Sequence, residues 1–141
     1  MDQALDAIAA HYDYVAEKNG VKLDWTIDIA EEIPIRRSDL CSVVGNLVEN
    51  SISAASKCES SDRYVSVKIG MLSPRTLVIS IINPYKGKVV HGKNGLPDNN
   101  KAQHGIGLRS VANIVDRYGG SMEIETDNHI FNVSIVMYEE E

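Results

Sequence analysis

Two kinds of apolar spacing alternate along this chain of 141 residues, and their order restricts the folds that it can adopt. Helical spacing predicts three helices, at residues 3–19, 38–56 and 105–118. A two-residue period predicts five strands, at residues 21–29, 64–69, 77–82, 121–126 and 130–137. This order predicts an α/β (α+β) two-layer sandwich, with a mixed sheet of about five strands and three helices on one face.

Cap and turn residues set the predicted ends of these elements. Ser38 is predicted to be the N-cap of the second helix, because its hydroxyl can accept a hydrogen bond from a free backbone N–H. The third helix is predicted to begin at Gly105 and to stop at Gly119-Gly120. The two hairpins are predicted to turn at residues 71–75 and at Asp127-Asn128.

Composition and charge exclude several classes of partner. The net charge is −6 and no basic stripe is present, so we expect no nucleic acid partner. No run of about 18 apolar residues occurs, so we expect no direct membrane contact by this domain. Cys41 and Cys58 fall in one predicted helix, roughly 25 Å apart along its axis, and cannot pair there. We expect one reduced, cytoplasmic and monomeric domain over residues 1–141.

Two short segments, about fifty residues apart, carry polar chemistry. Asn46 and Asn50 lie one helical turn apart on a shared face, and amide oxygens with phosphate oxygens suit Mg²⁺. Gly105 and Gly107 open a predicted helix, where free N–H groups attract phosphate. For an isolated pair of asparagines, simple exposure to water is the commoner outcome, and a bare G-x-G is weak evidence.

In this order, the two segments resemble the N box and the second glycine box of the GHKL ATPase superfamily. The closest resemblance is to the catalytic and ATP-binding domain of bacterial sensor histidine kinases, in the subgroup of quorum-sensing peptide receptors. This implies a Bergerat fold that binds ATP and Mg²⁺. It also implies that Asn50 is the metal ligand and that Asn46 lines the phosphates. The remaining implied phosphate-binding residues are His104, Gly105, Ile106, Gly107 and Leu108.

The segment after the fifth predicted element also follows the resemblance, with two departures. Asn83 stands where the family has an adenine-binding aspartate, and its oxygen can still accept a hydrogen bond from the adenine amine. Gln103 stands where the fuller glycine motif has another glycine. Residues 84–104 would then form an ATP lid that brings lysines toward the phosphates: Lys86, Lys88, Lys93 and Lys101.

The resemblance predicts a histidine kinase that transfers the γ-phosphate of ATP to a histidine. That acceptor would belong to a dimerisation domain absent from this chain. Both domains would lie in the cytoplasmic portion of a membrane-bound sensor, and a response regulator would be the next phosphate acceptor. Hydrolysing relatives carry a glutamate where this chain has Asn46, and Glu49 points about 100° away from Asn50. Two alternatives remain open: a serine kinase of the anti-sigma-factor type and a non-catalytic module of the same fold.

Overall fold

The computed structural model describes residues 3–87 and 102–140, and within its last helix the side chains from Gly107 onward. The helices are α1 Gln3–Lys18, α2 Arg37–Ser56 and α3 Ala102–Arg117, with a short 3-10 turn at Ser60–Asp62. The strands are β1 Lys22–Ile27, β2 Tyr64–Ser73, β3 Thr76–Pro84, β4 Ser121–Asp127 and β5 Ile130–Tyr138. No helix in these ranges has the length and hydrophobicity needed to cross a membrane.

The five strands form one mixed sheet in the order β1-β2-β3-β5-β4. β1 and β2 are parallel, and the other neighbours are antiparallel. Every second residue of the central strands is buried, as β3 shows at Leu77, Ile79 and Ile81. These residues share one core with the three helices. The predicted two-layer sandwich, with five strands and three helices on one face, is confirmed.

α2 lies between α1 and α3 and packs on the two central strands β2 and β3. Its predicted apolar stripe is buried: Leu40, Val43, Val44, Leu47, Val48 and Ile52. Each such side chain contributes about 1.5–3 kcal/mol when it leaves water. The polar residues of α2 are therefore left on the part of its surface that this stripe does not use.

The N-terminus of α2 is satisfied by a distant side chain, and the prediction of Ser38 as N-cap is wrong. The helix begins at Arg37, and Arg36 in the cap position makes no side-chain cap bond. Instead, the hydroxyl of Tyr118 accepts a hydrogen bond from the Arg36 N–H at 3.2 Å and donates one to the Asp39 carboxylate. A tertiary contact thus provides the hydrogen bond that no neighbouring side chain provides at this end of the helix.

α3 begins at Ala102, earlier than the predicted start at Gly105. Gly107 therefore lies beyond the first turn, where a backbone N–H already has a helical partner. The predicted stop at Gly119-Gly120 is confirmed, because α3 ends at Arg117 and Gly119 adopts a φ of 63°. At Gly120, an added Cβ would lie 2.0 Å from the carbonyl oxygen of Val136, so only glycine fits.

Both hairpin turns differ from their predictions. β2 continues to Ser73 and β3 starts at Thr76, so the first turn is shorter than residues 71–75. The second turn uses Asn128 and His129, at φ values of 49° and 62°, and Asp127 still belongs to β4. Positive φ at both central residues suits the right-handed twist of the strands. Residues other than glycine rarely adopt positive φ, so the sequence does not mark His129 as a turn residue.

Candidate nucleotide site

The two asparagines of α2 point toward α3. They lie one helical turn apart, and both are half-buried. The Asn46 amide nitrogen donates to the carbonyl of Ser42 at 2.8 Å, within the same helix. This bond fixes the Asn46 side chain and leaves its oxygen directed away from the helix backbone.

Gly107 of α3 lies directly opposite these two amides. A Cβ built on Gly107 would lie 3.4 Å from Asn46 Oδ1 and 3.6 Å from Asn50 Nδ2. The space where any other residue would carry its side chain is therefore bordered by both amides. The fold thus brings the two segments that carry the polar chemistry, on α2 and α3, to one place.

The Asn50 amide nitrogen is buried and has no hydrogen-bond partner. Such a group costs about 1–3 kcal/mol when water is removed from it without replacement. Rotation about the Cβ–Cγ bond would exchange the nitrogen with the oxygen, and no hydrogen bond of the nitrogen would be lost. Asn50 is therefore able to offer an oxygen ligand, and Mg²⁺ prefers oxygen ligands.

A second unpartnered amide atom lies at the end of β3. Asn83 is 1% exposed, and its nitrogen donates to the Pro84 carbonyl at 2.8 Å. This bond holds the amide in one orientation. Its Oδ1 is buried without a partner, so it is a free acceptor. A ligand that donates an N–H, as an adenine amine does, would fit this atom.

A cleft of about 480 Å³ opens beside the end of β3. The rings of Tyr85 and His129 form part of its wall, with their centroids 5.7 Å apart. The Phe131 ring does not line the cleft, and its centroid lies 6.3 Å from that of Tyr85. Burial and the nearby Asp62 carboxylate raise the pKa of the Cys58 thiol, which disfavours its thiolate form. The residues that line the cleft are Cys58, Glu59, Ser61, Asp62, Tyr64, Pro84, Tyr85, Lys86, Asn128, His129 and Ile130.

Comparison with known families gives one match over most of the chain. The sequence model of the GHKL domain family matches residues 35–138, which include both asparagines, Asn83 and Gly107. The chain belongs to the GHKL domain family. No curated protein matches it by sequence.

Solved histidine kinases share the fold of this GHKL domain. The nucleotide-free catalytic domain of ThkA superposes with a TM-score of 0.71 at 16% identity, over 98% of this chain and 92% of that one. The mycobacterial sensor kinase MprB gives 0.69 at 15% identity, over 98% and 95%. Full-length ShkA, solved with AMPPNP, gives 0.65 at 12% identity, over 98% of this chain and 30% of that one. At these identities, the likeness shows the fold alone.

The structure describes only some of the other predicted site residues of this GHKL domain. His104, Gly105 and Ile106 lie in the first turns of α3, and their side chains are outside the described part. Leu108 is 4% exposed in the core, and it lies further along α3 than Gly107, so its backbone N–H also has a helical partner. Glu49 is exposed. Most of the predicted lid, residues 88–101, lies outside the described residues, which leaves Lys86, exposed next to the cleft.

Sequence reasoning missed two features of the site. The first is the group of aromatic rings near Asn83, because Tyr85, His129 and Phe131 lie in different segments. The second is the contact between Asp39 and Tyr118, which joins α2 to the end of α3. Cys58 also lies beyond the end of α2, outside the helix that was predicted to hold both cysteines. Within the described residues, neither cysteine forms a disulfide bond.

Proposed function

We propose that this GHKL domain is the ATP-binding catalytic domain of a sensor histidine kinase. The observation that carries the proposal is the convergence of Asn46 and Asn50 on Gly107. The gap between these two amides and Gly107 lies where the two motifs that are expected to hold the metal and the phosphates meet. The buried acceptor of Asn83 supports the same assignment at the other end of a nucleotide.

Each residue would hold one part of the nucleotide. Asn50 would hold Mg²⁺ through its amide oxygen, and Asn46 would contact a phosphate oxygen or a water molecule. Asn83 would accept a hydrogen bond from the adenine amine. Within the described residues, no group of three or more His, Cys, Asp or Glu side chains could hold a metal. A metal shared between an amide oxygen and phosphate oxygens is therefore the arrangement that these residues favour. Mg²⁺, when bound, neutralises phosphate charge.

Transfer to a side chain is favoured over hydrolysis. The residue one turn before Asn50 is Asn46, and an amide does not take a proton from water. Glu49 is exposed, and it lies about 100° around α2 from Asn50. The chain would then act mainly by positioning the γ-phosphate for a histidine on a dimerisation domain. A response regulator would be the next partner, and the intact sensor would place this domain in the cytoplasm.

The test is calorimetric titration with AMPPNP, with and without Mg²⁺. We expect binding that strengthens with Mg²⁺ and falls at least about tenfold in Asn50→Ala, since an interaction with a charged group contributes about 1.5–3 kcal/mol. The matched control is Asn113→Ala, an exposed asparagine on α3. Equal Mg²⁺-dependent affinity in Asn50→Ala and the wild type would show that the metal role of Asn50 is wrong.

A second candidate, a non-catalytic module that regulates a partner by contact, is favoured by the amide at position 83, where the family resemblance expects a carboxylate. Asn83→Ala separates the two candidates. In the kinase, it should weaken AMPPNP binding by up to about tenfold, the effect of one hydrogen bond of about 1.4 kcal/mol. The absence of AMPPNP binding to the wild-type chain at millimolar concentration would support the module.

A further inference from the structure

Asp39 and Tyr118 form a polar contact between the first turn of α2 and the end of α3. Tyr118 is 3% exposed, and its hydroxyl donates to the Asp39 carboxylate while it accepts from the Arg36 N–H. The Tyr118 carbonyl accepts a hydrogen bond from the Tyr138 N–H at 3.1 Å, which ties the same residue to β5. We call the Asp39–Tyr118 pair, with its bond to Arg36, the latch.

The latch and the gap between the two asparagines and Gly107 lie at separate places along the same two helices. Asp39 lies about 10 Å before Asn46 along α2, and Tyr118 lies about 16 Å beyond Gly107 along α3, at 1.5 Å per residue. Because Asn46 meets Gly107 and Asp39 meets Tyr118, the two helices run antiparallel. A displacement of α3 along α2 would therefore change both contacts together.

Apolar packing and hydrogen bonds fix different aspects of this helix pair. Val111 and Val115 bury the inner face of α3. Burial of apolar surface is non-directional, so it holds the helix on the core more firmly than it sets the axial position. Hydrogen bonds depend strongly on distance and angle, and the latch supplies directional bonds between the end of α3 and the first turn of α2.

We propose that Asp39 and Tyr118 are positioning residues that set the gap between the two asparagines and Gly107. This inference rests on the proposed nucleotide site. The gap is narrow, with distances of 3.4 Å and 3.6 Å to the position of a Cβ on Gly107. A shift of one ångström in α3 would therefore alter how both amides meet a phosphate or a metal.

Three variants of the 141-residue chain separate positioning from simple stabilisation. Tyr118→Phe removes the hydroxyl and keeps the ring. Asp39→Asn keeps an oxygen that can accept the tyrosine proton, so it is the conservative rescue variant. Arg117→Ala removes only the 3.5 Å ion pair between Arg117 and Asp39, in which the arginine side chain is 53% exposed. This control should have little effect, because exposed ion pairs contribute little.

Two measurements are made well below the unfolding temperature, so that every variant is folded. The first is the dissociation constant of AMPPNP with Mg²⁺. The second is the position of the side-chain amide signals of Asn46 and Asn50 in NMR spectra without nucleotide. We expect Tyr118→Phe to weaken binding at least about fivefold, the lower end of coupling between separate sites. It should also shift both amide signals, whereas Asp39→Asn and Arg117→Ala should stay within about twofold of the wild type.

The proposal is overturned if Tyr118→Phe lowers the unfolding temperature but leaves both the amide signals and the affinity unchanged. It is also overturned if Asp39→Asn weakens AMPPNP binding and shifts the amide signals as much as Tyr118→Phe does, because the retained acceptor should keep α3 in position. Should the wild type bind no AMPPNP, the proposed function fails. The amide signals then still decide whether the latch sets the gap.

Discussion

Replacing Gly107 by alanine should make the protein more stable and a poorer nucleotide binder at the same time. Gly107 lies within α3, and none of the positive φ values in the described residues belongs to it. A Cβ there would be 3.4 Å from Asn46 Oδ1 and 3.6 Å from Asn50 Nδ2, which is ordinary van der Waals contact. The added methyl group therefore fits the free protein without a clash, but it fills the gap between the amides.

The two effects have different sizes and opposite consequences. Alanine within a helix is favoured over glycine by about 0.5–1 kcal/mol, so the unfolding temperature should rise by about 2–4 °C. Affinity for AMPPNP with Mg²⁺ should fall at least about tenfold, because the methyl group takes the space in which Asn46 and Asn50 would meet a phosphate. Stability is measured by thermal denaturation and affinity by calorimetry.

Gly45→Ala is the matched control on the opposite side of α2. Its Cβ would lie 3.6 Å from the Tyr12 hydroxyl and 3.9 Å from Tyr12 Cε2, so it is accommodated in the same manner against α1. We expect a similar gain in stability with no change in affinity. If Gly107→Ala is more stable and binds AMPPNP as well as Gly45→Ala does, the gap is not the nucleotide site.

Two further predictions concern the end of α3 and its surroundings. Gly119→Ala should lower the free energy of unfolding by about 1–2 kcal/mol, because φ is 63° there. Gly120→Ala should lower it more, since the added Cβ would lie 2.0 Å from the Val136 carbonyl oxygen. Urea denaturation compares the two variants, and equal losses of stability would contradict the steric argument. Burial raises the pKa of both Tyr118 and Tyr12 above 10.0, and the unfolded chain therefore loses these protons first as pH rises. Stability should then be constant with respect to these groups below about pH 10 and fall above it, and Tyr118→Phe should reduce the slope of stability against pH in that range; an unchanged slope would show that Tyr118 does not contribute.

The helices and strands were predictable because burial imposes a period on the sequence. α2 shows this best, since its apolar stripe continues without interruption from Leu40 to Ile52, over about three and a half turns. The element ends were less predictable, because they depend on contacts that close only in the fold. The N-cap of α2 is the example: Ser38 has the right chemistry locally, yet the Arg36 N–H is satisfied by Tyr118, from the far end of the third helix.

The candidate site was predictable only one helix at a time. The spacing of Asn46 and Asn50 places them on one face, whatever the tertiary structure. That Gly107 faces them depends on how α3 packs on α2, and helix spacing contains no information on that. The role of Gly107 also changed, from a free N–H in a helix-opening turn to a residue without a side chain inside a helix.

The unpartnered amide atoms link the fold to its proposed use. The Asn50 nitrogen and the Asn83 oxygen are buried without hydrogen bonds, and each such atom costs about 1–3 kcal/mol. A nucleotide whose adenine amine donates to the Asn83 oxygen would remove the cost at that atom, so part of the binding energy is already present in the free protein as lost stability. The Asn132 oxygen is also unpartnered, but it lies on the sheet face opposite the helices, and the nucleotide site does not account for it. AMPPNP with Mg²⁺ should therefore raise the unfolding temperature, and this rise should shrink in Asn50→Ala and Asn83→Ala while Asn132→Ala leaves it unchanged. An equal reduction in Asn132→Ala would show that the stabilisation is not specific to the two site amides.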